Sequence, residues 1–560
     1  MAPPFGWEAM CSHRARRTWA QQLAAAGMPA LRLEFPGSGN SSGSPLDPGQ
    51  LASWVATIHA ATAWLRGSAG CQQVAVIGIG IGGLVAASAL AEGAAIDDLV
   101  LWNVPATGRA LLRELKAFSR FESAPIPVAM LAGDPPLEAG SLAVGGYTLS
   151  PATVSDIGTL DIAALAPQIP AQTRVLVLAR DDLKPDQALV SALSAAAGEV
   201  QAEPGPGYGS MATEPAESVA PLATIARVSA WLDEDRRTEP APPPTGAHTS
   251  ETLTLDLAGN QVRETPVTLR ASTGTRFGIL TEPAGPPSDV CVVLLNAGAL
   301  THIGPNRMWV EAARRWAARG VSSLRLDLDA IGDAEGLEGR YRDVGAFYTT
   351  ELVSEVRAAL DQLVVRDVAQ RFVLLGLCSG AYWAFHAALQ DERVVAAYLI
   401  NPRALLWDQD LASLRDARKL HKLRRISTWR RVIDPRRSTT PAKVIAAAVA
   451  RSATLRLRAV PVHGRRTAVA AHEPPAVEQQ FDRLTVTNTR GLLLFTGDEP
   501  LYEELRREGT LDRLTHWPTL ELDLLAASPD THTLRPIWCQ QRVHAALDAA
   551  LTRDAGLTSP

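Results

Sequence analysis

One thiol in this chain sits where a thiol could react. The segment FVLLGLCSGAYWAFHAAL (372–389) runs as an apolar strand, then Gly376-x-Cys378-x-Gly380, then a helix rich in Ala and aromatic residues. Small residues on both sides of Cys378 permit a sharp strand-to-helix turn, in which neighbouring backbones come close. Such a turn holds its central side chain in a strained conformation above the sheet edge. It also sets the sulfur at a helix N-terminus, whose dipole favours a thiolate. The amide of Ser379 then faces any oxyanion formed there. The plainer alternative is a buried, inert cysteine; the strand–turn–helix context predicts a nucleophile instead. Ser379 lies one place past the centre and opens the helix, which predicts no attacking role for its hydroxyl.

The elements that must hold this turn are legible as a long-period repeat. LRLEFPGSGNSSG (31–43) matches LRLDLDAIGDAEG (324–336), each after a helical stretch that ends in Gly. VAVIGIGIGG (74–83) matches FVLLGLCSGA (372–381), LVLWNVP (99–105) matches AYLINP (397–402), and VLVLARDD (175–182) matches LLLFTGDE (492–499). Four matches in one order predict two copies of one fold, 1–237 and 251–560. Pro-rich TEPAPPPTGAHTS (238–250) reads as an extended linker between them. Short apolar strand runs alternate with Ala/Leu-rich helical runs, so each copy is expected to be α/β, a mostly parallel sheet flanked by helices.

With these motifs in this order, nearly the whole chain resembles the α/β-hydrolase superfamily as two tandem copies. The closer likeness is to its serine-aminopeptidase-like branch, including hydrolases associated with exosortase and exopolysaccharide loci. That branch shares the strand-end LINP, the LR-x-D turn and a Gly-Pro-x-Arg segment, here Gly304–Arg307, but carries Ser where this chain has Cys378. The resemblance implies the chain order nucleophile, acid, histidine. Asp498, after the strand LLLF, stands at the acid position, with Glu499 and Asp530 as fallbacks. His532 stands in the loop before the last helix, where the family keeps its base; His516 and His544 are its rivals. Asn296-Ala297-Gly298-Ala299 ends a strand where relatives carry His-Gly, so Gly298 or Ala299 would donate the second oxyanion amide, beside that of Ser379. The expected set is thus Cys378, Asp498 and His532, with Ser379, Gly298 and Ala299 around the oxyanion.

The first copy lacks these groups. Its turn, Gly78-Ile79-Gly80-Ile81-Gly82, puts a glycine at the nucleophile position, and no histidine occurs from 60 to 247. Glu217 or Ala216 occupies the expected histidine site, and Asp181 survives alone. A pseudo-hydrolase is expected, its start short for the strands that normally precede PPFG (3–6). The same turn spells G-x-G-x-x-G, but no acid ends the following strand as a dinucleotide site requires. NAD or FAD is therefore not expected, nor any other cofactor or metal.

Between LINP and the acid strand lies an insertion, expected to form a helical lid over about 403–490. Residues 403–466 hold 17 Lys/Arg against four Asp and no Glu, in a chain whose 54 basic and 59 acidic residues give a net charge of −5. A solvated helix face is the ordinary reading of such a run. A cationic cap beside a thiol would also attract an anionic substrate or carrier: an acyl carrier protein, coenzyme A or an acidic glycan. The near-balanced charge argues against a nucleic-acid partner. Five scattered cysteines (11, 71, 291, 378, 539) form no CxxC pair, which argues against a disulfide framework or structural zinc and fits a reducing cytoplasm. No targeting segment is visible. Val74–Ala91 carries no charge over 18 residues, but its change from β-branched to Ala/Leu predicts strand, turn and helix rather than a membrane span. The function expected is Cys-His-Asp acyl transfer on an ester or thioester, as thioesterase, acyltransferase or esterase; the alternative is a non-catalytic tandem that binds a carrier or assembles a pathway complex.

Overall fold

The structure, a computed structural model, describes residues 1–122, 137–181, 183–234, 252–271, 273–337, 339–407, 476–497, 499–525 and 531–557. The chain divides into two compact units, Met1–Leu405 with Gln480–Pro560, and Leu406–Gln479. Most of the basic segment, the linker 238–250, Asp498 and Asp530 lie outside the described residues.

The architecture is α/β, with two separate main sheets inside the first unit. Strands β1 (Ala75–Ile79), β2 (Asp98–Trp102), β5 (Arg174–Arg180) and β6 (Glu199–Gly205) form an all-parallel sheet in that order. A two-stranded hairpin, β3 (Leu142–Val144) and β4 (Tyr147–Leu149), stands apart from it. The sheet is covered on both faces, and its sequence alternates accordingly. Val76, Leu99, Leu101, Val175 and Val177 enter one core. Ile77, Ile79, Val100, Trp102, Leu176 and Leu178 enter the other. The period of two along each strand sends neighbours to opposite layers.

The second sheet has nine strands: β7 (Leu253–Leu257), β8 (Asn260–Ala271), β9 (Gly274–Pro283), β10 (Val290–Leu294), β11 (Ser322–Asp327), β12 (Arg371–Leu377), β13 (Val394–Ile400), β14 (Arg490–Phe495) and β15 (Leu520–Leu524). Their order is β15-β14-β13-β12-β10-β11-β9-β8-β7. From β11 to β15 every pairing is parallel, and β7, β8 and β9 add antiparallel edge strands. The strand order turns back between β11, β10 and β12, and β12 carries Cys378 at its carboxyl end, where open α/β sheets place their sites.

The repeated segments do not all fold alike. LRLDL lies in β11, whereas LRLEF (31–35) forms no strand. A strand needs a ladder to join; among the described residues the edge of β1 away from β2 carries an isolated bridge from Ala2 to Gly78. The apolar stretch 74–91 resolves into β1, a turn at Gly80 and the helix Ile81–Ala91. Among the described residues no helix is long and apolar enough to cross a membrane.

Candidate active site

Cys378 has φ 57° and ψ −113°, a conformation that L-residues avoid, and caps the helix Ser379–Ala388. Glycines make that turn possible. A Cβ on Gly376 would lie 2.1 Å from the Gly380 backbone, and one on Gly380 would lie 2.2 Å from Asn296 O. The flanking glycines let β12, its helix and the loop after β10 meet. The Cys378 amide donates to Ile400 O (3.0 Å), tying the turn to the end of β13.

The imidazole of His532 hydrogen-bonds Cys378. Its Nδ1 lies 2.8 and 2.9 Å from the two carboxylate oxygens of Glu499, which leaves Nε2 for the sulfur. Burial opposes charge on this ring, but Cys378 and Glu499 outweigh it and push the pKa up to about 10. The acid that meets His532 is therefore Glu499, the residue after the expected Asp498, which is outside the described residues. Glu499 is buried and His532 is one-third exposed.

The loop that carries His532 is fastened from three sides. Asn401, at the end of β13 with φ 42°, donates from Nδ2 to His532 O (3.1 Å) and to Thr496 Oγ1 (2.7 Å). Thr496 Oγ1 donates to Thr531 O (3.1 Å), and Thr531 Oγ1 donates back to Thr496 O. Asn306 Nδ2 reaches Leu534 O (2.8 Å) and Thr533 O (3.2 Å). None of Asn401, Thr496, Thr531 and Asn306 was among the expected site residues. A signal existed for Asn401: the repeat places Asn103 at the corresponding strand end, also with positive φ (54°).

The oxyanion candidates meet at the same turn, with different availability. Gly298 uses its amide on Ser379 Oγ (3.0 Å), joining the loop after β10 to the helix start. The amide of Ser379 is at the first turn of its helix, where backbone N–H groups lack intrahelical acceptors. No hydrogen bond from the Ala299 amide is found among the described residues. The rival histidines are engaged elsewhere. His544 meets Met308 O (3.3 Å) and Arg315, with burial lowering its pKa to about 4. His516 ends a 3-10 turn and packs edge-on against Trp517.

The N-terminal turn has the same backbone without the side chain: Gly80 shows φ 54° and ψ −122°. A Cβ there would meet Pro4 at 3.6 Å and Glu8 Oε2 at 3.9 Å, ordinary contact distances. Gly78 and Gly82 are packing glycines, since a Cβ on either would strike backbone within 2.5 Å. Asp181 accepts from the amides of Gly207 and Gly209 (3.0 Å each). The side chain of that loop that points to Glu8 is Tyr208, at 3.2 Å, rather than Glu217 or Ala216.

No family model matches the chain, and no curated protein does. Solved structures similar to it are α/β hydrolases. A dienelactone hydrolase from Anabaena variabilis is 14% identical over 52% of this chain and 98% of its own, with a TM-score of 0.32. A proline iminopeptidase from Mycobacterium smegmatis is 17% identical over 52% and 99%, with a TM-score of 0.30. A Pyrococcus furiosus esterase is 15% identical over 51% and 92%, with a TM-score of 0.31. At these values the likenesses carry no argument about activity, which has to come from this chain's own strand order and side chains.

Proposed function

We propose that the C-terminal half is a cysteine acyl-transfer enzyme acting on an ester or thioester, and that the N-terminal half is a degenerate copy of the same fold. The observation that carries this reading is a single imidazole, His532, bonded to a carboxylate and to a thiol held in a strained turn. That is the relation of nucleophile, base and orienter that acyl transfer requires.

The steps follow from the geometry. The Cys378 proton passes to His532 Nε2, giving a thiolate beside an imidazolium that Glu499 Oε1 and Oε2 hold in place. The thiolate attacks the acyl carbonyl, and the carbonyl π pair moves onto oxygen. The amides of Ser379 and Ala299 receive that oxyanion; Gly298 braces the loop by its bond to Ser379 Oγ. On collapse, the leaving alkoxide or thiolate takes the proton from His532, and the acyl group stays on sulfur. His532 then deprotonates the acceptor, which attacks the thioester and releases Cys378. A thioester intermediate exchanges with thiol-borne acyl groups at nearly balanced free energy. That supports acyl thioesters on a carrier as substrates, and the basic segment 403–466 supports an anionic carrier such as an acyl carrier protein or coenzyme A.

The test is intact-mass analysis after mixing the full chain with acyl thioesters and activated esters. An adduct of the acyl mass, mapped to Cys378 and lost in Cys378→Ala, is expected. A wild-type chain that forms no adduct with any member of the panel, and whose Cys378 resists iodoacetamide at neutral pH, overturns the reading in favour of a binding role.

A further inference from the structure

We propose that Asn40, in the N-terminal half, is a positioning residue for the oxyanion loop of the C-terminal half; this rests on the acyl-transfer reading above. The loop 296–302 carries Gly298 and Ala299 and is closed on itself and on β11. Asn296 Nδ2 donates to Leu300 O and to Asp327 Oδ1 (2.9 Å each). The His302 amide donates to Asp327 Oδ1 (2.7 Å), and its ring Nδ1 lies 2.6 Å from Asp327 Oδ2. Asp327 thus holds both ends of the loop.

The far side of the His302 ring is closed by the other half of the chain. Nε2 lies 3.1 Å from Asn40 Oδ1, and Arg325 Nη1 donates to that same atom (2.7 Å). A guanidinium only donates, so the atom is the amide oxygen; Asn40 Nδ2 turns to Glu34 Oε2 (3.2 Å). Nε2 therefore carries a proton toward Asn40, and Nδ1 carries one toward the Asp327 carboxylate. The buried ring is an imidazolium between two acceptors. Burial works against that charge, but Asp327 prevails and raises the pKa above its ordinary value, with Arg325 opposing and Asp333 assisting. Without the Asn40 oxygen, a ring N–H and a guanidinium N–H would face no acceptor there, and a buried donor left so is unfavourable. The ring relieves that cost by losing its proton or turning, and either change loosens its bond to Asp327 and the loop beyond.

A reciprocal exchange explains how Asn40 arrives there. Arg325 reaches Asn40, and Arg32, its counterpart in the repeated LRLEF segment, reaches Asp333 Oδ1 (2.6 Å), the counterpart of Asn40. Arg307 donates to Gly39 O and Ser41 O, and Arg17 donates to the corresponding Gly332 O and Ala334 O. Each half inserts the same loop into the other, but only one of the two sites has a thiol. The retained task of the N-terminal half is thereby to complete the site of its neighbour.

The test compares wild type, Asn40→Ala and Asn40→Asp combined with Glu34→Gln, with p-nitrophenyl acetate as substrate and iodoacetamide as a probe of Cys378. In Asn40→Ala, kcat is expected to fall about tenfold, below the roughly 100-fold cost of deleting an oxyanion donor, with KM unchanged within about twofold. The alkylation rate of Cys378 is expected to be unchanged, because Cys378, His532 and Glu499 are intact. The double variant restores an acceptor oxygen without repelling residue 34 and is expected to recover most of kcat. Histidine ¹⁵N resonances should show His302 doubly protonated in wild type and not in Asn40→Ala. Unchanged kcat in Asn40→Ala overturns the proposal, and so does a fall in kcat matched by slower alkylation, the mark of general loosening. A wild type with neither turnover nor acylation overturns the acyl-transfer reading, and this inference with it.

Discussion

Glu499 meets the imidazole of His532, and its neighbour Asp498 lies outside the described residues. The helix Pro500–Arg507 begins just after Glu499, so Glu499 is in extended backbone at its N-cap and its side chain turns inward to His532. Glu499→Gln is expected to lower kcat by about 10²-fold or more, because an amide cannot stabilise the imidazolium as a carboxylate does. Asp498→Asn is expected to leave kcat within about twofold, and steady-state rates on one activated ester compare the two. The sign of the pH effect follows from His532. Glu499 helps to raise its pKa, so the imidazolium persists until pH climbs through about 10. Removing the carboxylate lowers that pKa, weakens the pair with sulfur and slows alkylation of Cys378 at pH 7. An iodoacetamide rate at pH 7 that is equal in wild type and Glu499→Gln would contradict this arrangement.

At the scale of elements, the turn after β12 and the turn after β1 share a backbone and differ in chemistry. Their glycines are structural in both. Gly380→Ala drives a Cβ to 2.2 Å from Asn296 O, and Gly78→Ala drives one to 2.4 Å from Gly83 Cα. Each is expected to cost about 3 kcal/mol or more, at the upper end for overpacking, because rigid backbone has to move. Thermal denaturation of the two variants measures this. A stable Gly78→Ala would mean that the N-terminal turn does not need its glycine. The turn was legible in the sequence because its requirement is local: strand, glycine, centre, glycine, helix. The same locality made Cys378 legible as a candidate; His532 was legible through the resemblance, by its place in the loop before the last helix. Glu499 was legible only as a fallback to Asp498, because which acid of an adjacent pair turns to an imidazole depends on where the next helix starts, and sequence leaves that open by a residue or two. Asn306, with φ 52°, and the bonds of Asn401 to the His532 loop could not be read, since they join segments far apart in the chain. LRLEF matches LRLDL in sequence yet forms no strand where its counterpart does, because a strand exists only with a neighbour.

Across the whole molecule, the two halves are held by charge as well as by apolar packing. Trp7, Met10 and Cys11 of the N-terminal half join the core of the C-terminal sheet. Three buried arginines of the C-terminal half, Arg307, Arg314 and Arg325, surround the buried carboxylate of Glu264. Arg314 and Arg325 bond it directly (2.6 and 2.7 Å), and each also reaches the loop 39–43. Arg314 donates to Asn40 O and Ser41 O, and Arg307 donates to Gly39 O, Ser41 O and Gly43 O. Three buried cations around one buried anion are made tolerable by oxygens of the other half that accept from them. The halves should therefore unfold together. Calorimetry of the full chain is expected to show one transition for the two sheets, and Glu264→Gln is expected to lower it as a whole by about 3–5 kcal/mol, the cost of breaking a buried ionic group on one side. The pH dependence has a definite sign. Burial would raise the Glu264 pKa, but Arg325 and Arg314 hold it below its ordinary value of 4.5. A carboxylate so depressed contributes stability that is present above pH 4.5 and is lost as pH falls through its lowered value. Wild type should thus lose stability more steeply than Glu264→Gln on acidification below pH 4.5. Two separated transitions, only one of them moved by Glu264→Gln, would show that the halves are independent and that the exchanged loop is mere contact.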